Sequence, residues 1–140
     1  MKQSYQSVLE TVQQVFADRP QVNSVDVGRD LEIDITKNNL WPRVFIKTLD
    51  SPFNGRWEYN LEILCLDRVN NDFDNLIDVM SLTHSILEDG ISQLAFLDII
   101  NPVGIILTPL YAFQDAQSAG WTFPVTIFTT KGLECFDAVP

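Results

Sequence analysis

The chain has a single histidine, His84, and Glu88 follows it four residues later. On a helix that spacing lets a carboxylate touch an imidazole. Such a pair is the minimum of a general-base site, which also needs a nucleophile or a second orienting group. Met80, one turn before His84, puts the ring beside an apolar stripe, so a boundary histidine on an amphipathic helix is the expected reading.

Asp67, Asn70, Asp72, Asp74 and Asp78 invite a metal. A calcium loop of the EF type needs acidic or amide residues at alternate positions, then a glycine and a closing glutamate. Counted from Asp67, the third residue is Val69 and the twelfth is Asp78, and the glycine is missing. Helix chemistry explains the acids instead. Asn71 or Asp72 is expected to cap a helix, with Asp74 in its first turn, where negative charge is favoured.

Glu32, Asp34, Glu58 and Glu62 sit on the polar side of alternating segments, as on a solvated sheet face. The glycines at 28, 55, 90, 104, 120 and 132 are too far apart for a phosphate loop, a dinucleotide fingerprint or a nucleophile elbow. Cys65 and Cys135 lack metal-type spacing. A buried free thiol is expected at Cys65, with a Cys65–Cys135 bridge as the alternative. No catalytic residue, cofactor or metal ligand is assigned.

These residues are carried by elements that the apolar period predicts. Tyr5, Val8, Leu9, Val12, Val15 and Phe16 share one helical face, capped by Ser4 and stopped at Asp18-Arg19-Pro20. Residues 22–27 and 31–35 read as a hairpin about Gly28-Arg29-Asp30. Residues 41–49 read as a strand with Pro42 near its start. It should pair with an alternating strand from Trp57 to Leu66, which ends in Asp67-Arg68. A second helix is expected over residues 72–89, with Gly90 ending it. Residues 94–100 and 103–108 read as strands, 110–120 as a loop and 121–130 as a strand. The tail, residues 131–140, retains Leu133, Phe136 and Val139.

The fold class is therefore α+β. One domain over residues 1–140 carries a mixed or mostly antiparallel sheet of about six strands, packed by two helices. Leu110, Tyr111 and Phe113 are the expected exposed apolar contact. Trp41, Trp57 and Trp121 are sheet-face aromatics, some facing a neighbour. Asp67 and Arg68 are expected to form a strand-end ion pair or a subunit contact, and Leu133 and Phe136 of the tail are further candidates for subunit or partner contact.

The 140 residues carry 9 Lys+Arg and 19 Asp+Glu, a net charge of −10. That balance disfavours gripping phosphates, which takes basic side chains. It does not exclude a wall past which DNA slides, because negative charge repels phosphates. The first residues show no secretory apolar segment, and no apolar run reaches the roughly 18 residues that span a bilayer.

The run Tyr59-Asn60-Leu61-Glu62-Ile63-Leu64-Cys65-Leu66-Asp67-Arg68, the Asn/Asp turn and Asn75-Leu76-Ile77-Asp78-Val79 resemble small virion proteins of tailed bacteriophages. So do Leu107-Thr108-Pro109-Leu110, Ala119-Gly120-Trp121-Thr122 and Cys135-Phe136. Similar sequences occur in phages of gut Bacteroidetes, the crAss-like group among them, and the resemblance covers roughly residues 1–137. The order of helices and strands is also similar to the tail-terminator and tail-completion fold.

That resemblance implies a non-enzymatic virion protein, made in the host cytoplasm. It implies a closed ring of about six or twelve copies at the head–tail connector or upper tail. Its partners would be itself, portal or adaptor proteins and tail proteins, with DNA passing through the lumen and no membrane. Two other readings remain open. One is a small acidic host-interaction protein that mimics DNA. The other is an uncharacterised enzyme with a pocket joining His84 to Glu88.

Overall fold

A computed structural model of the chain describes residues 5–28, 41–53, 58–70, 72–111 and 118–128. Its elements are α1 (Tyr5–Ala17), β1 (Ser24–Gly28), β2 (Arg43–Thr48), β3 (Glu58–Arg68), α2 (Leu76–Phe96), β4 (Thr108–Tyr111) and β5 (Ser118–Phe128). The fold is α+β, with two helices on a mixed sheet. Among the described residues the sheet has five strands, not six, in the order β1-β2-β3-β5-β4.

The central strands behave as their alternation requires. β2 pairs antiparallel with β3, joining Arg43 to Leu66 and Thr48 to Leu61. β3 pairs antiparallel with β5 along its whole length, from Glu58↔Phe128 to Arg68↔Ser118. Val44, Ile46, Leu61, Ile63, Cys65, Phe123, Val125 and Ile127 point to one face and are buried there. Val8, Val12 and Phe16 of α1 and Ile86, Leu87 and Leu94 of α2 pack onto that face. Cys65 is a free thiol inside this layer. Burial is the main reason its pKa is pushed far above the ordinary thiol value, with the Asp67 carboxylate adding to it.

Three expectations are corrected. Residues 94–100 are not a strand: α2 runs through Gly90 to Phe96, and a turn follows. Leu87, Gly90, Ile91 and Leu94 keep the helical spacing, and Gly90 is buried against the Phe16 ring rather than ending the helix. Residues 110–120 are not all loop, because β4 pairs antiparallel with β5 from Thr108↔Thr122 to Tyr111↔Ala119. Of the strand expected over 103–108, only Thr108 enters a ladder, while Ile105 and Leu107 pack against the core.

β1 pairs parallel with β2, from Ser24↔Arg43 to Gly28↔Lys47. The hairpin partner expected at 31–35 lies outside the described residues, as does the Ser4 cap. The cap position of α2 is Asn75, not Asp72, and its side chain makes no capping bond. Asn75 instead turns back to the chain before it: Oδ1 accepts from the Asn70 N–H at 2.8 Å and Nδ2 donates to the Arg68 carbonyl at 3.3 Å. Asn71 lies outside the described residues.

Pro124 sits well inside β5, where a missing N–H would normally break a ladder. The Phe128 N–H donates away from β3, to the Ile99 carbonyl at 3.1 Å. Backbone polar groups alternate along a strand, so residue 124 faces away from β3 as well. β4 reaches only Thr122, so the absent donor at 124 costs neither ladder a bond.

Candidate functional site

The second face of the sheet carries the groups that are not explained by helix packing. Register places them in rows across the strands. Ser24, Arg43, Leu66, Gly120 and Leu110 form one row. Asp26, Phe45, Leu64, Thr122 and Thr108 form the next. Gly28, Lys47, Glu62 and Pro124 follow, then Asn60 with Thr126, then Glu58 with Phe128.

The first two rows hold a buried cluster of Phe45, Leu64 and Leu66, with Trp41 and Leu110 packed against it. Arg43 lies among these side chains at 1% exposure. A buried guanidinium needs a counter-charge. The Asp26 carboxylate supplies one at 2.7 Å from the neighbouring strand. The aromatic faces of Phe45 and Trp41 flank the cation, with centroids 4.6 and 5.2 Å from Cζ.

Toward the other end the face is polar. Lys47 Nζ lies 2.9 Å from Glu62 Oε1, and Thr122 donates to Glu62 Oε2 at 2.9 Å. Thr126 donates to Asn60 Oδ1 at 2.8 Å, and Asn60 Nδ2 donates to Asp50 at 2.9 Å. Glu62 is thus tied into a cross-strand network rather than freely solvated. Glu32 and Asp34 lie outside the described residues.

Asp67 and Arg68 are adjacent in β3, so their side chains leave opposite faces. They form no side-chain ion pair: Asp67 Oδ1 accepts from the Arg68 backbone N–H at 2.8 Å. The Arg68 guanidinium lies over Trp41 instead, 5.1 Å from the ring centroid. Burial pushes the Asp67 carboxyl above its ordinary value, partly offset by the Arg68 N–H bond.

The sign of the resulting linkage follows. With the folded pKa raised, the folded state binds protons more tightly than the unfolded one, so stability falls as pH rises from the unfolded value of 3.8 toward the folded one. Asp67→Asn keeps an acceptor and removes the charge. It should raise the melting temperature at pH 7, and the gain should vanish once the pH falls below 3.8. Thermal melts across that range check this, and a lower melting temperature for the variant at pH 7 would refute it.

His84 Nδ1 lies 2.8 Å from Glu88 Oε1 on the outer side of α2, and its ring stands edge-on to Trp121 at 5.0 Å. The Trp121 indole N–H donates to the Met80 carbonyl at 2.9 Å. Among the described residues, no group of three His, Cys, Asp or Glu side chains is placed to hold a metal ion. The groove between α1 and β1, of about 560 Å³, is lined by Glu10, Gln13, Gln14 and Asn23 with Val22 and Val25. A second, of about 380 Å³, runs between residues 101–106 and the free side of β5. Neither groove includes His84 or Glu88.

Of the expected contact residues, Tyr111 is exposed on β4, while Leu110 is half-buried against the Phe45 cluster. Phe113, Leu133, Phe136 and Cys135 lie outside the described residues, as does Trp57. Larger exposed apolar side chains occur elsewhere: Ile77 at 75%, Phe96 at 82%, Val103 at 84% and Ile106 at 72%. Phe73, Leu76, Ile77, Met80 and Leu87 are the apolar stripe that the spacing predicts on the second helix, yet Ile77 is exposed. Phe96, Val103 and Ile106 lie in the two segments expected as strands, residues 94–100 and 103–108.

The sequence did carry a signal for the buried second face. Ile63, Leu64, Cys65 and Leu66 are four consecutive apolar residues, the mark of a strand covered on both sides. Among the described residues, no helix is long and apolar enough to cross a membrane. No protein-family model matches the chain, and no curated protein matches it.

Proposed function

We propose that this chain is a structural subunit that assembles with its own copies into a closed ring at the head–tail connector or upper tail of a tailed bacteriophage. There it would join portal-side and tail-side components around the DNA channel. The observation that carries the reading is the placement of exposed apolar side chains at the two ends of α2. Ile77 lies in its first turn and Phe96 ends the helix, with Val103 and Ile106 in the segment that follows, beside residues 124–128 of β5. A helix of 21 residues is about 30 Å long, so Ile77 and Phe96 mark opposite ends of the subunit.

Apolar groups at opposite ends favour contact between unlike surfaces of successive copies. Such head-to-tail contacts close into rings when the rotation between copies permits. Acidity supports the same reading, since a chain of net charge −10 repels phosphates and lets DNA pass. The likeness of its short sequence pieces to small phage virion proteins points to the neck or tail as the place.

The test is light scattering behind size exclusion over a wide concentration range, with negative-stain images of any large species and a protein inventory of purified particles. Discrete rings, and the chain present in particles at a fixed copy number, are the expected results. Absence from particles, together with capture of a basic host protein, would overturn the ring reading in favour of a host-interaction protein.

A further inference from the structure

At the end of the second sheet face, beyond the Arg43 row, three side chains that can donate hydrogen bonds share one row. Arg68 and Ser118 are register partners in β3 and β5. The β2–β3 register, continued two residues past Arg43↔Leu66, brings Trp41 opposite Arg68. The Arg68 guanidinium does lie over the Trp41 ring, 5.1 Å from its centroid. Trp41, Arg68 and Ser118 thus form one row on one face.

The polar atoms of this row are unusual. Ser118 is 1% exposed, and among the described residues its Oγ has no hydrogen-bond partner. Among the same residues the buried Trp41 indole Nε1 also has no partner. Buried polar groups are normally satisfied, so two orphans in one row, on the chain segments either side of Arg68, need an explanation. Arg68 is exposed, and among the described residues no carboxylate forms an ion pair with it.

We infer that Trp41, Arg68 and Ser118 form a binding site for a carboxylate, supplied by an Asp or Glu side chain of a second copy of this chain. An indole N–H and a guanidinium only donate, and a hydroxyl can donate. An ionised carboxylate only accepts, and its two oxygens can serve several donors at once. The exposed guanidinium meets the incoming group first, and the indole on which it lies and the neighbouring hydroxyl complete the set.

A second copy is the fitting source because of how charge is laid out along the face. Its donor end carries Trp41, Arg43 and Arg68, and the opposite end carries Asp50, Glu58 and Glu62. With Asp26 paired to Arg43 and Lys47 paired to Glu62, the first end keeps the Arg68 charge and the other still carries Asp50 and Glu58, so the face complements itself head to tail, and the chain as a whole has 19 acidic residues to offer. The identity of the partner rests on the self-assembly proposed above, while the donor set does not.

The experiment follows the Trp41 indole N–H resonance in a 15N-labelled protein, assigned with Trp41→Phe. It is recorded while protein concentration is raised, and separately while sodium acetate is added to a dilute sample. Light scattering follows association in parallel. The expected result is a downfield shift of the Trp41 signal as copies associate and a similar shift with acetate. Arg68→Gln should weaken association by about tenfold or more and flatten the acetate response. Ser118→Ala should reduce both.

Association without movement of the Trp41 signal would overturn the inference and leave the ring reading standing. A shift with acetate alone, with association insensitive to Arg68→Gln, would mark an adventitious small-anion site and overturn the second copy as ligand. A chain that neither associates nor occurs in particles would overturn the ring reading and the second copy with it.

Discussion

Gly120→Ala should leave the chain largely unfolded. A Cβ at position 120 would stand 1.8 Å from the Cys65 carbonyl oxygen, 2.8 Å from the Cys65 carbonyl carbon and 3.1 Å from Leu66 Cα. All three are backbone atoms of β3, so no side-chain rotation can relieve the contact. The methyl group must separate β3 from β5, the longest ladder in the sheet. Both strands carry buried core residues on the helix-covered face, so the separation would reach the core. Losses above about 4 kcal/mol are exceptional for one substitution and come from mechanisms of this kind. Against a total stability of about 5–15 kcal/mol, such a loss removes most of the folded population.

Gly104→Ala is the matching control. Gly104 has φ +87° with no atom within 4 Å of a built Cβ, so the strain there is local. It should cost about 1–2 kcal/mol. Urea denaturation of the two variants separates a blocked strand pairing from a strained turn. A Gly120→Ala midpoint equal to that of Gly104→Ala would refute the close approach.

Phe16→Ala should be the next most damaging change, costing about 3–5 kcal/mol. The Phe16 ring is fully buried at the meeting of α1 and α2. It lies against Gly90, where an added Cβ would be 2.2 Å from Cε1 and 2.5 Å from Cζ. Removing the ring opens a cavity between the helices. Gly90→Ala acts in the opposite direction. It gains about 1 kcal/mol of helix propensity and pays about 1–3 kcal/mol for overpacking, so alone it should destabilise.

The two changes should couple, because they compete for one space. Phe16→Leu with Gly90→Ala should cost less than the sum of the single variants, by about 0.5–3 kcal/mol in a double-mutant cycle. Additive costs would show that the ring and the glycine do not share that space. This contact also accounts for the continuation of α2 through a residue that commonly ends helices.

What could be read from the chain alone was local. Val8, Val12, Val15 and Phe16 define the buried side of α1 by their spacing, and all four are buried. The alternation from Tyr59 to Cys65 correctly separates helix-facing from opposite-facing residues in β3, and the pairing of β2 with β3 follows from the turn-forming residue types at 50–55 between them. Period and turn chemistry act over a few residues, so they are visible without a fold. The α+β class follows from the same signals.

What tertiary structure decided was anything that depends on a distant neighbour. Gly90 is helical because Phe16, 74 residues earlier, packs on it. β1 runs parallel to β2, a choice that chain direction and not composition makes. Pro124 is tolerated because β4 stops at Thr122. The row of Trp41, Arg68 and Ser118 is assembled from three segments by register alone. A sequence reports which faces are apolar. Only the pairing of strands reports which donors share a face without an acceptor, because that depends on hydrogen-bond register between residues far apart in the chain.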